Sequence, residues 1–171
     1  MPASPIVTRR MAAATLPVAM IWLAALSGCG RPATQPGRLK VKVAARTFNL
    51  ELAMDQEAWS QGLSDRSDIA SDGGMLFVFD RPAPRQFVMR RCYVPIDLIY
   101  LDANGYVVAM HEMTVEPDPL APDSELRRYR STDPAQYAIE LRGRTIRELG
   151  LNVADRIELP RSQLEIWVQR R

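Results

Sequence analysis

From Leu39 onward the apolar residues of this chain come in short runs, each broken by Gly, Pro, Asn or Asp, and most of those runs repeat every second residue. A period of two places alternate side chains on one face of a strand, so the pattern asks for a sheet. Leu39, Val41 and Val43 alternate with Lys40, Lys42 and Ala44, and Phe48, Leu50 and Leu52 resume the pattern after a turn near Ala45 and Arg46. Met75-Leu76-Phe77-Val78-Phe79 is apolar throughout, which predicts a strand covered on both faces. Strands are also expected at 85–90, 96–101, around Tyr137, Ile139 and Leu141, at 156–159 and at 164–168. Asn104-Gly105, between Tyr100-Leu101 and Tyr106-Val107-Val108, has the composition of a hairpin turn in which both central residues take positive φ. Two short helices complete the pattern. One is capped by Asp55, runs through Gln56 to Gly62 and buries Trp59 and Leu63; the other covers 145–149 and stops at Gly150. Residues 116–123 hold three prolines and read as a surface loop. The expected fold is mainly β: a single-domain β-sandwich or barrel-like fold over 39–171, with eight or nine short strands and two short helices.

The N-terminus carries a different message. Arg9 and Arg10 precede Met11 to Leu26, an uncharged and largely aliphatic run, the layout of a secretory signal. The run ends in Leu26-Ser27-Gly28-Cys29, which resembles the lipobox of bacterial lipoproteins. The resemblance implies cleavage before Cys29, a diacylglyceryl group on its thiol and an acylated amino terminus. Several acyl chains hold a protein on a bilayer where one holds it only marginally. The expected organisation is a signal peptide at 1–28, a lipidated Cys29 with a flexible Pro/Gly tether to 38, and the β-rich domain at 39–171. An uncleaved membrane anchor is the competing reading, although the run is short for a span and Pro17 interrupts it. The route of export stays open, because Thr8-Arg9-Arg10 also suggests a twin-arginine signal. Gly30 stands where lipoproteins kept in the inner membrane usually have Asp, so the resemblance favours the periplasmic face of the outer membrane.

Charge and cysteine count narrow the partners. Of the 22 basic residues two lie in the signal, leaving 20 against 20 acidic ones in residues 29–171. A balanced surface gives no reason to expect nucleic acid, whose binders need a basic face to displace phosphate counterions. With Cys29 acylated, Cys92 is a lone thiol and no intrachain disulfide can form.

An ordered series of blocks carries a family resemblance: Glu51-Leu52-Ala53, Gln61-Gly62-Leu63, Gly74 to Phe79, Phe87-Val88-Met89-Arg90, Pro95 to Asp102, and Ile139-Glu140-Leu141. Together they resemble the bacterial and archaeal family named domain of unknown function 192, over about residues 39–160. The resemblance implies a compact β-sandwich, often exported, with no established activity. Members usually carry Phe-Trp-Met-Lys-Asn-Thr where this chain has Phe87-Val88-Met89-Arg90-Arg91-Cys92, so Val88, Arg91 and Cys92 are this chain's own variation.

Chemistry-bearing residues are few. Asp97 lies among Pro95, Ile96, Leu98, Ile99 and Tyr100, and a buried carboxylate must be hydrogen-bonded or shift its pKa. It reads either as a functional acid or as a fold element that accepts backbone N–H groups or pairs with Arg90. Glu140 is a weaker case, since alternation with Ile139 and Leu141 puts it on a wet face. Met110-His111-Glu112-Met113 invites a soft metal, but a strand would split these residues between two faces, so no metal or other cofactor is expected. The leading expectation is a non-catalytic, lipid-anchored envelope protein that binds a small ligand, a glycan or a protein partner, with Phe87, Met89, Arg90 and Asp97 as candidate ligand-binding residues and none assigned to catalysis. The alternative is an envelope hydrolase using Asp97 or Cys92 with His111; a purely structural accessory of the envelope is the third class.

Overall fold

The computed structural model describes residues 37–169; the expected signal peptide, Cys29 and most of the expected tether lie outside the described residues. Among the described residues the chain is mainly β, with eight strands and three helices. In order these are β1 (Arg38–Val43), β2 (Arg46–Ala53), α1 (Gln56–Gln61), β3 (Met75–Ala83), β4 (Gln86–Phe87), β5 (Ile96–Leu101), β6 (Val107–Met113), β7 (Tyr129–Arg130), β8 (Ala135–Arg142), α2 (Thr145–Leu149) and α3 (Arg161–Gln169). Six strands form one sheet in the order β1-β2-β3-β8-β5-β6, and β4 pairs with β7 in a separate two-stranded ribbon. The large sheet is open, with β1 and β6 at its edges, and is antiparallel except where β2 and β3 run parallel across the α1 connection.

The central strands β3, β8 and β5 are buried on both faces, which is why they read as nearly continuous apolar runs. Alternation sorts their side chains into two cores. On one face Leu76, Val78, Ile99, Leu101, Tyr137, Ile139 and Leu141 meet Val41, Phe48 and Leu50 of the first hairpin, together with Ile146, Leu151 and Leu164. On the other, Met75, Phe77, Phe79, Leu98, Tyr100 and Ala138 meet Leu63, Met89, Cys92 and Tyr129. The ribbon seals this second face: Phe87 packs edge-on against Phe77 at 4.8 Å and Tyr100 at 5.7 Å, and the Tyr100 hydroxyl donates to the Tyr129 carbonyl at 2.8 Å. A large side chain as fully buried as Phe77 stabilises such a core by about 2–3 kcal/mol.

Several sequence expectations need correction. The 164–168 segment is helical, within α3, and not a strand: Leu164 is fully buried, Trp167 and Val168 pack on the same core, and Ile166 is 46% exposed. That spacing is helical, and over five residues alternation matched it equally well. The expected strand at 156–159 reduces to one bridge between Tyr106 and Arg156. The expected strand at 85–90 keeps only Gln86–Phe87, and its partner β7 went unpredicted. The β5–β6 hairpin does turn at Asn104-Gly105, but only Gly105 has positive φ, at 85°. The Asp102 carboxylate shapes this longer turn by accepting from the N–H groups of Asn104 and Tyr106.

Candidate functional site

A cleft of about 410 Å³ opens on the second face of the sheet, where the ribbon leaves the end of α1 uncovered. That volume lies in the range of small-molecule sites. Trp59, Ser60 and Ser64 bound it on one side, Phe79, Arg85 and Phe87 on the other, and Cys92, Asp123 and Glu140 complete the lining. Local sequence builds the α1 wall. Asp55 caps the helix by accepting from Ala58 N at 2.8 Å, and the chain leaves it at Gly62 with φ of 50°. That backbone angle favours glycine there, and a Cβ would also crowd the Glu140 Oε2 atom at 3.2 Å. Trp59 is held by its indole N–H, which donates to the Ala53 carbonyl at 3.0 Å, and by a tilted contact with Phe79 at 5.3 Å.

Of the two acids lining this cleft, Asp123 is paired with Arg90, and Glu140 is only 4% exposed. Alternation correctly sets it opposite Ile139 and Leu141, but that face is covered by the ribbon and the α1 segment, so it is not wet. Its carboxylate takes one backbone hydrogen bond among the described residues, from Leu63 N to Oε2 at 3.2 Å. Burial pushes the carboxyl up to about 7; the Leu63 N–H and the nearby Arg66 guanidinium pull the other way without cancelling it. Arg66 is itself engaged by a two-pronged pair with Glu51, at 3.0 and 2.7 Å.

The cations of the cleft differ in what they face. Arg90 is spent: Nη1 pairs with Asp123 at 3.2 Å and Nη2 donates to the Ser60 carbonyl. The guanidinium carbon of Arg85 lies over Phe79, 3.9 Å from the ring centre, with Nε and Nη2 donating to the Ala135 and Arg81 carbonyls. No carboxylate among the described residues forms an ion pair with it. Burial, and then the neighbouring Arg81, lower its hold on its proton.

The structure brings Phe87, Met89, Arg90 and Cys92 to this second face; Met89 is fully buried behind the cleft. Asp97 stands apart. It is completely buried on the opposite face, where Oδ1 accepts from Arg144 N at 3.1 Å and Oδ2 from Ile146 N at 2.6 Å. These N–H groups open α2, whose own N-cap residue Arg144 supplies no side-chain cap, so an acid on β5 caps a helix distant in sequence.

The residues of the hydrolytic alternative are not assembled. The Cys92 thiol is pushed up to about 12 by burial and contacts the Arg90 carbonyl at 3.4 Å, leaving almost no thiolate at neutral pH. The His111 Nε2 atom lies 2.7 Å from the Arg130 carbonyl, wedged between Tyr100 and Tyr129. His111 and Met113 face the second core while Met110 packs on the first, the split that strand geometry requires.

The architecture is therefore that of a mainly β domain with one aromatic-walled cleft beneath a ribbon. The chain belongs to the family named domain of unknown function 192, described as "Uncharacterized ACR", whose model matches residues 38–159. No curated protein matches it. Among solved structures it is similar to a Sinorhizobium meliloti protein described as a candidate transcription regulator, at 34% identity and a TM-score of 0.58, covering 71% of this chain and 91% of that one. A Novosphingobium aromaticivorans protein of unknown function shares the fold at 22% identity and a TM-score of 0.60, over 71% of this chain and 84% of the other.

Proposed function

We propose that this protein is a non-catalytic, lipid-anchored envelope protein whose cleft binds a small ligand. The observation that carries the reading is the cleft itself: three aromatic side chains, Trp59, Phe79 and Phe87, stand around a nearly buried Glu140 that has one backbone partner. Buried polar groups are normally satisfied, and one left open toward a cavity is the feature a ligand completes. The lipobox-like Leu26 to Cys29 supports attachment through acyl chains, and the Pro/Gly segment after it supports a domain held off the membrane by a tether.

The regulator description of the Sinorhizobium meliloti protein does not transfer readily. Residues 29–171 balance 20 basic against 20 acidic side chains, whereas DNA binding draws on an excess of basic ones.

Two measurements test the reading. Intact mass of the full chain extracted from membranes is expected to equal residues 29–171 plus a diacylglyceryl group and an acyl chain, with the modification absent in Cys29→Ser. Amide NMR shifts on adding a set of small aromatic compounds are expected at Leu63, Trp59 and Phe87. Shifts scattered over the surface, or none, would remove the cleft as a binding site.

A further inference from the structure

We infer that the ligand of the cleft is a small organic anion with an apolar or aromatic body, its negative group held by Arg85. This rests on the reading of the cleft as a ligand site and specifies its charge. Of the two arginines lining the cleft, Arg90 has both terminal nitrogens committed to Asp123 and Ser60. Arg85 has only Nε and Nη2 committed, both to neutral carbonyls, and its Nη1 has no protein acceptor among the described residues. It is also prepositioned: its backbone N–H donates to Ser131 Oγ at 2.9 Å, and its guanidinium carbon rests 3.9 Å from the centre of the Phe79 ring. A planar cation fixed in this way loses little freedom when it takes a carboxylate. Arg81 beside it adds to the positive field and has no acidic partner in an ion pair among the described residues.

Glu140 decides the pH at which an anion is accepted. Ionised, it would repel an anion in the cleft; protonated and neutral it would not, and Oε2 keeps the Leu63 N–H in either state. The titratable and charged groups acting on it are Arg66 from the loop after α1, Cys92 from the segment after the ribbon strand β4, and Tyr100 from β5. Burial raises both Cys92 and Tyr100, so neither competes for the proton near neutral pH. The aromatic walls account for the body of the ligand, because they offer apolar area without further charge.

The test compares phenylacetate with its neutral and cationic counterparts, phenylacetamide and phenethylamine, by NMR titration of the full chain at pH 6 and pH 8. At pH 6 phenylacetate is expected to bind at least about tenfold more tightly than the other two, because only it meets Arg85 with opposite charge. Its affinity is expected to fall about tenfold at pH 8, as the protonated fraction of Glu140 drops. Arg85→Gln should abolish the preference for the acid. Glu140→Gln, which is uncharged at every pH, should retain binding and remove the pH dependence. Equal or tighter binding of the amide or amine overturns the anionic class while leaving the cleft as a ligand site. Failure of all three probes at millimolar concentration overturns both. The wild-type comparison decides the matter even if Arg85→Gln melts early.

Discussion

Asp97 and Glu140 lie on adjacent strands of one sheet, at 0% and 4% exposure, yet they face opposite cores and do different work. Burial raises both carboxyls. Asp97 is answered by two backbone N–H groups, one on each oxygen, at the start of α2. Glu140 is answered by one and borders a cleft. Burial of an acid therefore does not by itself mark a site. The decisive quantity is how much of its hydrogen-bonding capacity the fold has already used.

The largest effect expected from this contrast is on stability. Asp97→Ala leaves the buried N–H of Ile146 and the part-buried N–H of Arg144 without an acceptor, and at about 1–3 kcal/mol for a buried orphan and less for the other it should cost about 3 kcal/mol in urea unfolding. Phenylacetate shifts at Leu63 should survive in whatever fraction stays folded. Loss of binding with little loss of stability would reverse the roles assigned to the two acids.

Glu140→Gln should act in the other direction, and only at higher pH. The folded-state pKa of about 7 exceeds the ordinary 4.5, so protonation favours the fold; that contribution is complete below about pH 4.5 and lost as pH rises through 7. The wild type should lose up to about 3 kcal/mol between pH 5 and pH 8, and the glutamine variant should lose none of it. Urea midpoints at four pH values check this. A wild type whose stability is flat over that window would make Glu140 as ordinary as a surface acid.

Arg66→Gln breaks the two-pronged pair with Glu51, worth about 1 kcal/mol at its partial exposure. It also removes a cation that restrains Glu140, so the Glu140 midpoint should move further up. The smallest effect is expected at Arg147, which is exposed and paired with Glu112 at 2.8 Å. Arg147→Ala should leave the melting temperature unchanged, even though Arg147 follows the helix start that Asp97 caps.

Much of the fold is legible from alternation because strands buried on one or both faces leave a strong pattern. β5 coincides with the expected 96–101, Asp55 and Gly62 bracket α1, and Gly150 ends α2 in the left-handed conformation. Segments whose order comes from distant partners escaped. β7 is two residues inside an arginine-rich run, fixed by pairing with β4 and by Tyr129 packing against His111. Of the candidate site, Phe87, Met89 and Arg90 fall on the cleft face, while Asp97 does not. Alternation places Glu140 on the face opposite Ile139 and Leu141, but no local pattern tells that the ribbon covers that face. Arg85 forms no ion pair among the described residues, a property of three dimensions that no local pattern carries.

The most direct test of the account is a carboxyl carbon NMR titration of Glu140 in the full chain, with and without saturating phenylacetate. The account predicts a midpoint near 7 that rises when the acid is bound, because the bound anion favours the protonated side chain. A midpoint near the ordinary 4.5, unmoved by phenylacetate, would contradict it.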